Sequence, residues 1–185
     1  MTAKQDQLAI MQKKVQDSLK ISNPMAVPRL VKIVVNMGVK DAISDKKHIE
    51  QASIAMAKIT GQKAKVTKAK KAIATFKLRE GDAIGLVATL RGKRMYSFLH
   101  KLVSVVLPRM KDFHGVKTTS FDGKGNYALG FTEYAIFPEI DTGSVERLQG
   151  MEMIFVTTAV DNKGGHALLS ALGMPFEKGK ATKDA

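Results

Sequence analysis

The sequence predicts an α+β fold: a single domain over residues 1–176, built on an antiparallel sheet with helices packed on one face and a more open opposite face, then a flexible tail at 177–185. Three observations predict the architecture. Apolar residues make up 44% of the 185 positions and charged residues 25%, enough to bury a core in one compact unit. Helical and strand periodicities alternate along the chain. The two best strands are each apolar on one side and mixed on the other, the pattern of a sheet covered on a single face.

Leu8, Met11, Val15 and Leu19 recur at helical spacing and Ser22-Asn23-Pro24 stops them, so Lys4 to Lys20 reads as an amphipathic first helix. Pro28 opens a strand over Arg29–Met37, whose alternate residues Val31, Ile33, Val35 and Met37 form the buried face. Asp45 is a candidate N-cap for a second helix with the stripe Ile49, Ala52, Met56 and Ile59, closed by Gly61. Strand-like runs follow at Lys65–Thr75 and Ile84–Arg91, with Phe76–Gly81 as the connecting loop. In the second of these, Ile84, Leu86, Ala88 and Leu90 form the apolar face. A third helix over Lys93–Leu107 sets Met95, Phe98, Leu99, Leu102 and Val106 opposite Arg94, Ser97 and Lys101, and Pro108 ends it. Residues 111–130, rich in glycine and poor in aliphatics, read as a long functional or mobile loop. Strands at Glu133–Phe137 and Met151–Thr158 precede a last helix near Lys163–Leu172, capped by Asp161 or Asn162 and closed by Gly173 and Pro175.

Charge narrows the function more than the elements do. The chain carries 30 Lys and Arg against 17 Asp and Glu, a net +13, but the surplus is uneven. Residues 51–120 hold +12, residues 1–50 hold +4 and residues 121–185 hold −3. Between Glu50 and Glu80 no acid occurs, while Lys58, Lys63, Lys65, Lys68, Lys70, Lys71, Lys77 and Arg79 supply eight cations. A surface tuned only for solubility intersperses both signs. One sign concentrated in one segment is what a polyanion partner requires, since each neutralised phosphate releases counterions. The plain alternative is a solvated basic face with no partner. On the open side of the two best strands, Lys32, Asn36, Thr89 and Arg91 would then present hydrogen-bond donors on rigid backbone.

Other classes lack their residues. With no cysteine there is no disulfide framework, Cys-ligated zinc, iron–sulfur cluster or thiol nucleophile, which fits a reducing cytoplasm. No secretory signal is visible at the N-terminus, and the longest apolar run, Leu102–Leu107, is too short to span a bilayer. Gly123-Lys124-Gly125-Asn126 matches neither a Walker loop nor a dinucleotide fingerprint. His48, His100, His114 and His166 have no ligand spacing, and no nucleophile motif accompanies Asp112 and His114. No cofactor, metal or catalytic residue is expected. An RNA chaperone or RNA-directed enzyme, the alternative class, would need a cofactor loop or an acid/base pair.

Ordered blocks over about residues 20–176 carry a resemblance. They include Asn23-Pro24-Met25, Val35-Asn36-Met37-Gly38, Ile59-Thr60-Gly61-Gln62-Lys63, Val66-Thr67-Lys68-Ala69-Lys70-Lys71 and Phe76-Lys77-Leu78-Arg79-Glu80-Gly81. Thr89-Leu90-Arg91-Gly92-Lys93-Arg94-Met95-Tyr96, Leu107-Pro108-Arg109, Ser120-Phe121-Asp122-Gly123-Lys124-Gly125-Asn126-Tyr127, Ile136-Phe137-Pro138-Glu139-Ile140 and Leu172-Gly173-Met174-Pro175-Phe176 continue the series. Jointly they resemble the bacterial large-subunit ribosomal protein five family, which binds 5S ribosomal RNA. Where that family usually has Gly, Pro-Val and an acid, this chain has Lys40, Ala64-Lys65 and Lys93, all adding or retaining positive charge.

The resemblance implies a cytoplasmic, structural constituent of the large ribosomal subunit. Its expected partners are 5S rRNA in the central protuberance, large-subunit rRNA, the P-site tRNA, other 5S-associated ribosomal proteins and a small-subunit head protein, with no membrane. Lys32, Asn36, Met37, Gly38, Gln62, Lys63, Thr89, Arg91 and Gly92 would form the 5S rRNA surface. Lys70, Lys71, Phe76, Lys77 and Arg79 would reach the P-site tRNA, Phe76 either stacking on a nucleotide or plugging its own hairpin. The intersubunit contact is expected at Asp112, Phe113, His114 and Gly115.

Overall fold

The computed structural model describes residues 13–43, 45, 47–111, 113–140 and 149–177. A first helix, α1, covers residues 13–19, and the stretch of the expected helix before it lies outside the described residues. The other elements are β1 (Leu30–Gly38), α2 (Lys47–Thr60), β2 (Lys65–Lys68), β3 (Ala83–Leu90), α3 (Gly92–Lys101), β4 (Tyr127–Phe131), β5 (Met151–Thr157) and α4 (Asn162–Ala171). The strands form one sheet in the order β2-β3-β1-β5-β4, so the expected α+β antiparallel architecture holds.

The chain divides into two compact units. One comprises residues 33–110 and 130–153 and contains most of β1, with α2, β2, β3 and α3. Its core follows directly from strand alternation: Ile33, Val35 and Met37 of β1 and Leu86 and Leu90 of β3 are wholly buried on one face. Met56 and Ile59 of α2 and Met95 of α3 are buried as well, and α2 packs against β3. Asp45 serves the start of α2 as expected, its carboxylate accepting from the Lys47 amide at 2.9 Å.

The other unit comprises residues 1–32, 111–129 and 154–185. In it Val15, Val27 and Leu168 form a small apolar cluster, with Leu19 and Leu172 packed against it. Asp161 caps α4 by accepting from the Gly164 amide at 2.8 Å, and Gly173, at φ +92°, ends the turn beyond it.

Four expectations are corrected. The expected loop over residues 111–130 holds a 3₁₀ turn at Thr118–Ser120 and runs into β4 from Tyr127, and Tyr127, hidden among glycines in the sequence, is 1% exposed. The run Glu133–Phe137 is no strand but a 3₁₀ turn at Tyr134–Ile136, which drives Phe137 inward between Phe98 and Phe131. Phe137 is the one buried residue of that run, and it plugs a core instead of pairing. The run from Lys65 stays a strand only to Lys68, because the register slips after Thr67 and the chain resumes pairing at Ile73 opposite Leu78. Finally, α3 gives way at Leu102 to a π-helical turn, Leu102–Val106, and a 3₁₀ turn, Leu107–Arg109. Pro108 has no N–H to donate and its ring crowds the carbonyl four residues back, so the regular helix cannot run through it.

Candidate nucleic-acid interface

The face of β1 and β3 opposite the core is the platform. Antiparallel register sets Val34 opposite Thr89, Asn36 opposite Val87 and Gly38 opposite Gly85. On the far side of β3, Lys65 of β2 lies opposite Val87 and Thr67 opposite Gly85. Asn36 and Thr89 are exposed, as are Gly38, Arg91 and Gly92. Lys32 lies on the same face of β1, half-buried.

Gln62 and Lys63 follow α2 directly. Thr60 shapes that turn: its buried hydroxyl donates to the Met56 carbonyl at 2.7 Å and accepts from the Gln62 amide at 3.3 Å. The Gln62 side-chain amide then donates to the Thr89 carbonyl at 3.4 Å, bringing the turn to the end of β3. Thus Asn36, Gln62, Lys63, Thr89 and Arg91 are gathered on strand and helix ends rather than on a free loop. Met37 differs from them, since the whole residue is buried.

Two features were not legible as parts of the site. Lys65 joins the open face through its pairing with Val87; the sequence shows it as one cation of the acid-free segment, at the start of a strand-like run, but not the face it takes. Gly85 sits in the middle of the same face, where a Cβ would lie 2.9 Å from both the Met37 carbonyl oxygen and the Thr67 hydroxyl. Those two groups fill the space over Gly85, which is buried, so glycine is required there by the packing of the sheet.

The second group of residues lies on an extension of the β2–β3 hairpin. Ala69 and Gly81 are joined across its base, the Gly81 amide donating to the Ala69 carbonyl at 3.0 Å, and Ile73 and Leu78 pair further out. A 3₁₀ turn, Ala74–Phe76, makes the tip, with Lys77 in the left-handed region at φ +52°. Lys70, Lys71, Lys77 and Arg79 are exposed around it. Phe76 is 69% exposed, so it does not plug its own hairpin.

Of the third group, Asp112 lies outside the described residues. Phe113 and Gly115 are half-buried and His114 is exposed. Gly115 adopts φ +118°, and a Cβ there would come within 2.9 Å of the Phe176–Glu177 backbone, beside the pairing of Val116 with Phe176. The neighbouring turn is held by Asp122, whose carboxylate accepts from the Asn126 side chain at 2.7 Å and from the amides of Lys124 and Asn126 at 2.8 and 3.0 Å. The Asn126 bond, more than the others, holds that carboxyl below its ordinary 3.8. Tyr127 donates its hydroxyl to the Lys117 carbonyl at 2.8 Å, and burial pushes its phenol up to about 12.

The exposed donors on sheet and hairpin carry positive charge and backbone N–H groups but no paired acid and base, a set suited to holding a polyanion. Two family descriptions match along the chain: "Ribosomal protein L5" over residues 23–79, and the C-terminal region of the same ribosomal family over residues 83–176. The chain belongs to the ribosomal protein L5 family. Proteins named "Large ribosomal subunit protein uL5" are similar to it over most of its length. That of Streptococcus suis (strain 05ZYH33) is 58% identical over 157 residues, covering 85% of this chain and 87% of the relative. That of Streptococcus pyogenes serotype M49 (strain NZ131) is 58% identical over 154 residues, covering 83% and 86%. That of Streptococcus thermophilus (strain CNRZ 1066) is 57% identical over 157 residues, covering 85% and 87%. The family is one of structural, non-enzymatic ribosomal proteins, and rRNA binding and a part in translation follow from membership.

Proposed function

We propose that this protein anchors 5S rRNA in the central protuberance through the open face of β1 and β3. Family membership makes it a structural constituent of the large subunit of the cytoplasmic ribosome; the 5S assignment is the finer step. The observation that carries it is the convergence of Asn36, Gln62 and Thr89, joined by β1–β3 register and by the Gln62 bond to the Thr89 backbone. Asn and Gln offer paired donors and acceptors to exposed base edges of an RNA loop, while Arg91, Lys63, Lys65 and Lys32 neutralise phosphates beside them.

The same proposal gives the hairpin tip to the P-site tRNA: four exposed cations surround one exposed aromatic ring, which suits stacking with backbone neutralisation. Large-subunit rRNA and other 5S-associated ribosomal proteins complete the setting, and the segment at Phe113–Gly115 is proposed for the small-subunit head protein.

The test is 5S rRNA binding by Arg91→Ala. Loss of one charge-assisted contact should weaken binding by about 1–3 kcal/mol, and Lys70→Ala should leave 5S affinity within about 0.5 kcal/mol. Wild-type affinity for Arg91→Ala would remove the open face from the site.

A further inference from the structure

At the end of the platform where Gln62 and Gly92 lie, a cavity of about 390 Å³ opens between the last turn of α2 and the first turns of α3. Lys58 and Gly61 line it from one side and Lys93, Arg94 and Ser97 from the other. Lys101 also borders it, but its ammonium is already engaged by Glu139 at 2.5 Å and by the Ile59 carbonyl at 2.6 Å. Lys58, Lys93 and Arg94 form no ion pair among the described residues, and all three are exposed.

Folding gives no reason for that arrangement. Three like charges around one hollow repel one another, and nothing acidic stands in the first turn of α3 to offset them. Lys93 and Arg94 also sit at the helix end where the dipole disfavours cations. An anion in the cavity reverses both penalties. The position says which anion: the cavity begins at Gly61, next to Gln62, and at Lys93, next to Gly92, so it continues the edge of the platform.

We propose that this cavity is a phosphate subsite for the RNA backbone, taking phosphodiester groups of the strand whose bases meet Asn36, Gln62 and Thr89. The proposal rests on the 5S reading but assigns different work: the platform selects the RNA, and the cavity adds affinity without selectivity.

The experiment compares Lys58→Gln/Lys93→Gln/Arg94→Gln with a control of equal charge loss, Lys117→Gln/Lys124→Gln/Lys163→Gln, after unfolding curves establish that both fold. Binding to 5S rRNA and to a size-matched random RNA is titrated over salt. The cavity variant should flatten the dependence of log K on log salt by about 2 and lose about tenfold or more in affinity at low salt. It should keep the wild-type preference for 5S rRNA, and the control should keep the wild-type slope to within about 0.5. A cavity variant with the wild-type slope, or one no different from the control, overturns the subsite. A wild type without preference for 5S rRNA instead overturns the platform, and the slopes on either RNA still report on the cavity.

Discussion

Lys101 and Glu139 meet at 2.5 Å, and the same ammonium reaches the Ile59 carbonyl at 2.6 Å, so one cation ties the end of α2, α3 and the segment before Ile140 together. The ammonium also stands 5.7 and 5.8 Å from the ring centroids of Phe98 and Phe137. The ion pair is partly open to solvent and contributes little alone. The bond to Ile59 matters more, because it satisfies a carbonyl at a helix end that has no intrahelical partner.

Lys101→Met should therefore lower stability by about 1–3 kcal/mol, and Glu139→Gln by less than about 1 kcal/mol. Urea unfolding of the two variants measures both. A Lys101→Met midpoint equal to that of the wild type, at unchanged slope, would contradict the assignment.

Asp122 gives a prediction in pH. Its folded-state carboxyl is held below the ordinary 3.8, chiefly by the Asn126 side chain, so the ionised form is favoured by folding. The stability it contributes is present above about pH 4 and is lost as pH falls through the folded value. Asp122→Ala should be destabilised at pH 7 by about 1 kcal/mol, with the gap from wild type shrinking below pH 3.8. A gap that stays constant from pH 7 to about pH 2.5 would show that the carboxylate's charge is immaterial.

Much of this fold was legible because long periodic segments declare themselves. The alternation of Ile33, Val35 and Met37, and of Leu86, Ala88 and Leu90, fixed which side of the sheet is buried and hence which carries Asn36 and Thr89. What failed was local. Tyr127–Phe131 is a strand whose glycine and short length hid it, and its ordering depends on the Asp122–Asn126 turn and on aromatic contacts of Tyr127 with Phe121, Phe155 and Phe176. Phe137 shows the converse, an apolar run that looked like a strand and serves as a core plug. Tertiary packing overrides propensity in both. Of the site, the strand residues could be read directly, whereas Lys65 and the cavity at Lys58 and Arg94 depend on register and helix placement that spacing does not encode.

Phe76 separates function from stability. At 69% exposure its ring contributes little to the fold, so Phe76→Ala should leave stability within about 0.5 kcal/mol. If it stacks on a nucleotide, P-site tRNA on ribosomes carrying the variant should be held more weakly by about 1–3 kcal/mol. Dissociation of P-site tRNA measures this, and a wild-type rate would withdraw the ring from the tRNA contact.

The most direct measurement is equilibrium binding of the purified protein to 5S rRNA, titrated over salt beside a size-matched tRNA and a random-sequence RNA. Anchoring through the β1–β3 face predicts tighter binding to 5S rRNA that survives near-physiological salt. Equal affinity for all three, falling together as salt rises, would contradict it, leaving the +12 of residues 51–120 as a general polyanion surface.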